Sequence, residues 1–261
     1  MHGIIKIKGV IMERIHIVKE YKNTFTRRLT GDQGALGFLV MLPGFLICNS
    51  IIISAVLKSF LLITNMSVTY SVLNLSLNLL TDLLMLIIAF FCLKDFIIRQ
   101  YHDFKERKAK IIFNGVVKGY ALCFVMSMVT SIIVRLLTMK TTSANQQAIV
   151  SLSKFNPVVM LLMTVIFAPI GEELLFRGFL FTFFRKRSRF LAYFVSAFLF
   201  GFVHVMNSVM GGDLSEFIQM IPYFGMGLVF AYSYESNNNI FASILTHATS
   251  NAIAMITIFF I

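Results

Sequence analysis

Hydrophobic and polar positions alternate in this chain over tens of residues rather than over single turns. Long apolar stretches occupy 37–57, 72–93, 113–137, 157–182, 190–207, 217–234 and 239–260, with short polar segments between them. A helix rises about 1.5 Å per residue, so about 20 mainly apolar residues cross the hydrocarbon layer of a bilayer. The pattern predicts an all-α, polytopic membrane helical bundle of about seven transmembrane helices, with six to eight compatible with the segment boundaries. Residues 1–36 read as a cytoplasmic N-terminal segment, 37–150 as the first group of transmembrane helices, and 151–261 as a second group. The N-terminal segment lacks the apolar core and cleavage site of a signal peptide; Met12 is an alternative start to Met1. No internal repeat or low-complexity tract is visible, and Asn237, Asn238 and Asn239 read as a short turn.

Composition supports this reading. The 261 residues are 57% hydrophobic and 13% charged, with a mean hydropathy of +0.82, whereas soluble domains carry about 25% charged residues. The net charge of +11 needs no nucleic acid to explain it. Seven Lys/Arg lie in 1–36, six in 94–110 and four in 185–189, while 58–71 has one, 138–156 has two and 208–216 has none. This alternation predicts a cytoplasmic N-terminus, an external C-terminus if there are seven spans, and a home in the cell membrane. The segment 94–110 reads as a cytoplasmic loop beside anionic lipid. Cys48, Cys92 and Cys123 fall in apolar stretches without CxxC spacing and read as reduced packing residues.

The charges inside the apolar stretches carry the chemistry. From Phe155 to Phe184 the ionisable residues are Glu172, Glu173 and Arg177, in "APIGEELLFRG" at 168–178. Each would cost about 2.5–3.5 kcal/mol at mid-membrane. Glu173 and Arg177, four apart, can pair on one helix face; Glu172 points about 100° away from Glu173. Pro169 removes a helix hydrogen bond and predicts a kink just before the acids. His2, His16 and His102 lie in polar segments, but His204 and His247 fall within spans, and Asn251 lies one turn after His247. Glu172 is thirteen residues before Arg185 and His204 fifteen after Arg189, about 20 Å and 22 Å along a helix, so these groups can share one depth. Asn74, Asn78 and Asp82 form a second polar stripe. It reads as interhelical polar contact, with an ion pair to Lys118 or a substrate path as alternatives.

In order and spacing, "EELLFR" (EExxxR), "FGFVH" (FxxxH) and "HATSN" (HxxxN) resemble the motifs of the CPBP family, the CAAX proteases and bacteriocin-processing enzymes also called Abi proteins. The resemblance covers roughly 155–258. It implies an intramembrane endopeptidase acting on peptides or protein tails near the membrane surface, in bacteriocin maturation, processing of peptide signals or self-immunity. By the same resemblance Glu172 is the general base, and His204 holds the water and later passes a proton. His247 and Asn251 stabilise the oxyanion, and Glu173 with Arg177 is a supporting pair; from the residues alone Glu172 and Glu173 could exchange roles. Zinc held by Glu172, His204 and His247 is the rival mechanism, although HExxH is absent. A metal-free, glutamate-dependent water is preferred. A different class of function stays open: a non-enzymatic immunity or scaffold protein, or a small transporter, using the same polar cluster.

Overall fold

The computed structural model describes residues 25–138, 140 and 142–260, without the side chains of 47–50. Most of the basic N-terminal segment, with Met1, Met12, His2 and His16, lies outside the described residues, as does the side chain of Cys48. The described chain forms nine helices and no strand. They are α1 (Gly31–Leu46), α2 (Ile51–Thr64), α3 (Tyr70–Glu106), α4 (Lys108–Leu137), α5 (Ala144–Phe155), α6 (Pro157–Arg185), α7 (Arg189–Met210), α8 (Glu216–Asn237) and α9 (Ile240–Phe260).

The starts follow capping chemistry. Thr30 and Gln33 form a reciprocal capping box at α1. Thr69, Ser143 and Ser188 accept from backbone N–H groups at the starts of α3, α5 and α7. At α6, Asn156 caps and Pro157 occupies the first turn, where a missing N–H costs nothing.

Helices α3, α4, α6, α7 and α9 are long and apolar enough to cross a membrane, and the count is six if α1 with α2, bent by 51°, is taken as one broken span. A count of seven requires α8, which is 22 residues long and is not among the helices long and apolar enough to cross. It turns Glu216, Gln219, Ser233, Glu235 and Asn237 inward and serves as an interior helix of the bundle. Leu39, Phe91, Leu136 and Phe190, in contrast, are exposed on the outside, where lipid would cover them.

Two segments expected as loops are helical. The region 94–110 continues α3 through Glu106, with one irregular residue at Leu93, because Leu93, Phe96 and Gln100 turn into the core while the charges stay outside. The region 138–156 contains α5, whose Ser153 is fully buried and lies against Met255 of α9.

Two carboxylates hold the corners. Asp103 accepts from Arg27 at 2.6 Å and Asn239 at 2.8 Å, and also from Arg107. Gln100 receives Ile240 N–H through its side chain and Asn239 through its carbonyl. The turn at Asn237, Asn238 and Asn239 is therefore an anchoring point, with Asn238 in the left-handed conformation. Glu235 accepts from Arg185, Arg189 and Tyr193, which binds the corner between α6 and α7 to the end of α8.

Helices α7 and α8 nearly touch at two levels. A Cβ on Gly227 would stand 2.9 Å from the Ala197 Cα, and one on Gly201 would stand 3.1 Å from the Phe224 N. Gly227→Leu is expected to destabilise the protein by about 1–3 kcal/mol through overpacking. Circular-dichroism melts in detergent would read this as a lowered Tm; an unchanged Tm would mean that the two helices do not meet there.

Candidate active site

The site is built on α6, which is not uniformly α-helical. Ala168 N–H reaches back five residues to Met163, so the turn Met163–Phe167 is π-helical just before Pro169. The expected distortion at this proline takes the form of a widened turn. A second π stretch, Leu174–Phe181, follows the acids. Side chains take up carbonyls of this stretch: Thr182 donates to Arg177 O and Ser196 to Phe176 O, both at 2.9 Å. Such π turns recur at functional sites.

Glu173 and Arg177 pair at 2.8 Å, and both side chains are 0% exposed. The guanidinium also donates to Gly227 O at 2.8 Å and lies 4.7 Å and 5.2 Å from the Phe200 and Phe230 ring centroids. Glu173 accepts from Ser243, and its other oxygen is 3.1 Å from His247 Nδ1. The pair therefore joins α6 to α8 and α9.

Glu172 faces elsewhere. Its side chain is 16% exposed, and Oε2 is buried with no hydrogen-bond partner among the described residues. That oxygen lies 3.9 Å from His247 Nε2. With Nδ1 donating to Glu173, a neutral His247 presents a lone pair at Nε2. Two acceptors face each other across a gap too long for a direct bond and suited to a bridging water.

His204 places Nδ1 2.7 Å from Phe200 O, which leaves Nε2 as an acceptor in the neutral ring. Phe200 adjoins both imidazoles, at 4.7 Å from His204 and 5.7 Å from His247. Asn251 donates from Nδ2 to Thr164 O at 2.8 Å, tying α9 to the first π turn. The structure thus joins Glu172, Glu173, Arg177 and His247 in one cluster. It sets His204 beside that cluster through Phe200, and engages Asn251 with backbone.

The proposed ion pair of Asp82 with Lys118 is not formed among the described residues. Lys118 lies 5.6 Å from the Phe113 ring. Among the described residues no three His, Cys, Asp or Glu side chains form a group that could hold a metal ion. Both imidazoles turn Nδ1 to a protein acceptor, Glu173 for His247 and Phe200 O for His204, which leaves each Nε2 free to meet water or a ligand.

Sequence reasoning did not find Ser243, Gly227 or Tyr223, whose ring stacks on His204. Ser243 was within reach, one turn before His247 on the same face; the Gly227 carbonyl leaves no side-chain signal.

Arg177→Met would strand a buried carboxylate and is expected to cost about 3–5 kcal/mol, whereas adding Glu173→Gln should recover more than half of that loss. Thermal melts of the single and double variants check this. A double variant no more stable than the single one would refute the electrostatic explanation.

The sequence is similar to that of several known proteins. The family described as "Type II CAAX prenyl endopeptidase Rce1-like" matches residues 154–253, which contain all six residues singled out above. UPF0177 protein YvdC of Lactococcus lactis is 23% identical over 141 residues, 54% of this chain and 51% of its own. YdiL of Bacillus subtilis, named as a candidate membrane peptidase, is 30% identical over 115 residues, 44% of this chain and 43% of its own. A protein of Mycoplasma capricolum is 27% identical over 194 residues, 71% of this chain and 55% of its own. The chain spans about half the length of these curated relatives. No solved structure matches it. Residues 154–253, which hold the three motifs and the buried cluster they build, are thus similar to the Rce1-like CAAX endopeptidase family.

Proposed function

We propose that this protein is an intramembrane endopeptidase in which Glu172 activates the attacking water. The observation that carries the reading is the buried Glu172 oxygen without a partner, 3.9 Å from His247 Nε2. Buried polar groups are almost always satisfied, so this gap suits a water that donates to the carboxylate.

The chemistry then runs through the chain's own side chains. Glu172 takes a proton as the water oxygen bonds to the scissile carbonyl carbon. His204, with Nδ1 held by Phe200 O, helps to hold that water through Nε2. His247 and the free amide hydrogen of Asn251 are the candidate donors to the oxyanion; His247 donates from Nε2 only when both ring nitrogens carry hydrogen. As the C–N bond breaks, the proton passes to the leaving amine through Glu172 or His204. Glu173 and Arg177 hold α6, α8 and α9 in register and touch none of the reacting atoms. No step passes through a metal.

The substrate is a peptide or protein whose cleavage site lies at the bilayer, and the role is bacteriocin or peptide processing, or self-immunity. The N-terminus is assigned to the cytoplasm from the basic loops. The test is Glu172→Gln and His204→Ala in membranes where each variant accumulates normally, with the cell's peptides compared by mass spectrometry. Specific peptides should accumulate uncut, with cleavage reduced about 10²–10⁴-fold. An unchanged peptide profile in both variants would overturn the reading and favour a non-enzymatic immunity protein or transporter. A strong chelator should leave cleavage within about twofold, since general-base catalysis by Glu172 needs no metal; loss restored by zinc would refute the metal-free step.

A further inference from the structure

One contact at the site has no place in that scheme. Tyr223 of α8 lies face to face with His204, with ring centroids 4.4 Å apart and planes 21° apart. Phe200 is tilted against the same imidazole at 4.7 Å. The Nδ1 contact with Phe200 O fixes one edge of the ring, but a single hydrogen bond permits rotation about its own axis. A flat partner on the ring face removes that freedom.

The tyrosine is itself held. Its hydroxyl lies 2.7 Å from Ser143 Oγ and accepts from Asn145 Nδ2 at 3.3 Å. Both residues belong to the start of α5, which is fastened to the start of α8. Ala144 N–H donates to Glu216 at 3.2 Å, and Gln219 donates to Lys140 O at 3.3 Å. Lys140 donates to Asp213 at 2.8 Å and Ser215 at 2.7 Å. Lys140 and Asp213 are solvent-exposed and lie outside the spans; their contact raises the ammonium pKa and lowers the carboxyl pKa. Through Tyr223 the connection between α4 and α5 reaches the site.

We propose that Tyr223 is a positioning residue for His204, its ring holding the imidazole in the plane that aims Nε2 at the water and its hydroxyl fastening that ring to α5. The committed hydroxyl and stacked ring suit positioning and not proton transfer. An aromatic face also favours any positive charge His204 carries as it relays a proton. The inference rests on the peptidase reading for its consequence, but not for its geometry.

Two readouts keep those apart. Protein labelled with ¹⁵N-histidine, in nanodiscs of phosphatidylethanolamine and phosphatidylglycerol, reports the His204 tautomer by imidazole nitrogen shifts, with His204→Gln for assignment. The peptide pool of membranes carrying each variant reports cleavage. Tyr223→Phe keeps the ring and should retain a single Nδ1–H tautomer and cleavage within about threefold. Tyr223→Leu should give mixed tautomers and cleavage reduced about tenfold, with Tyr223→Met as the alternative should the leucine variant not fold. A single wild-type tautomer in the Leu or Met variant would overturn the proposal. So would equal loss in the Phe variant, which would assign the effect to the hydroxyl alone. If Glu172→Gln leaves the peptide pool unchanged, the peptidase reading fails while the tautomer measurement still decides the role of Tyr223.

Discussion

A carboxylate and a guanidinium enclosed by protein draw their hydrogen-bond partners from it, and the arrangement of the site follows from that requirement, with Arg177 Nε left without one among the described residues. Glu173 and Arg177 are both wholly enclosed. Removing two charges from water costs several kcal/mol per ion, which mutual attraction offsets only when further partners complete the geometry. Those partners are Gly227 O on α8 and Ser243 and His247 on α9. Solvating the pair therefore sets the distance between three helices. It also fixes which nitrogen of His247 is turned toward Glu172. The two adjacent glutamates divide the work: one is spent on architecture and the other is left with an unused oxygen.

Acid is the scarcer partner in this chain, with 12 Asp and Glu against 23 Lys and Arg. Most shielded acids among the described residues collect cations. Asp103 takes Arg27 and Arg107, Glu235 takes Arg185 and Arg189, Glu216 takes Lys140, and Glu173 takes Arg177. Glu172 and Asp82 form no ion pair with Lys or Arg among the described residues. In a protein with cations to spare, both acids are held without one, and the proposed mechanism gives one of them, Glu172, the task of activating water.

The bundle was legible because apolar run length is a direct reading of bilayer thickness. The pair of Glu173 and Arg177 was legible because helical spacing alone puts them on one face. Glu172 was singled out by the same angular argument, and His204 and His247 by their burial in apolar runs. What escaped has a common physical cause. Helix α5 carries a stripe too short and too polar to read as a span. Helix α3 runs past its apolar run because Phe96 and Gln100 face inward among charges. The interior position of α8 blurs the span count, since a helix shielded by neighbours tolerates polar residues that lipid would not. The seat of Asn251 on Thr164 and the stacking of Tyr223 both depend on how helices cross. One-dimensional periodicity does not encode that.

The Gly227 carbonyl carries one more implication. Arg177 is recognised there by main chain, so the contact has no side chain that drift could exchange for another. What evolution can alter is only the room around it, which the Ala197 backbone limits from α7. The charge at the centre of this protein is thus guarded by a volume constraint, and substitutions at distant small residues of α7 and α8 would detune it by changing a helix path while leaving every polar group in place.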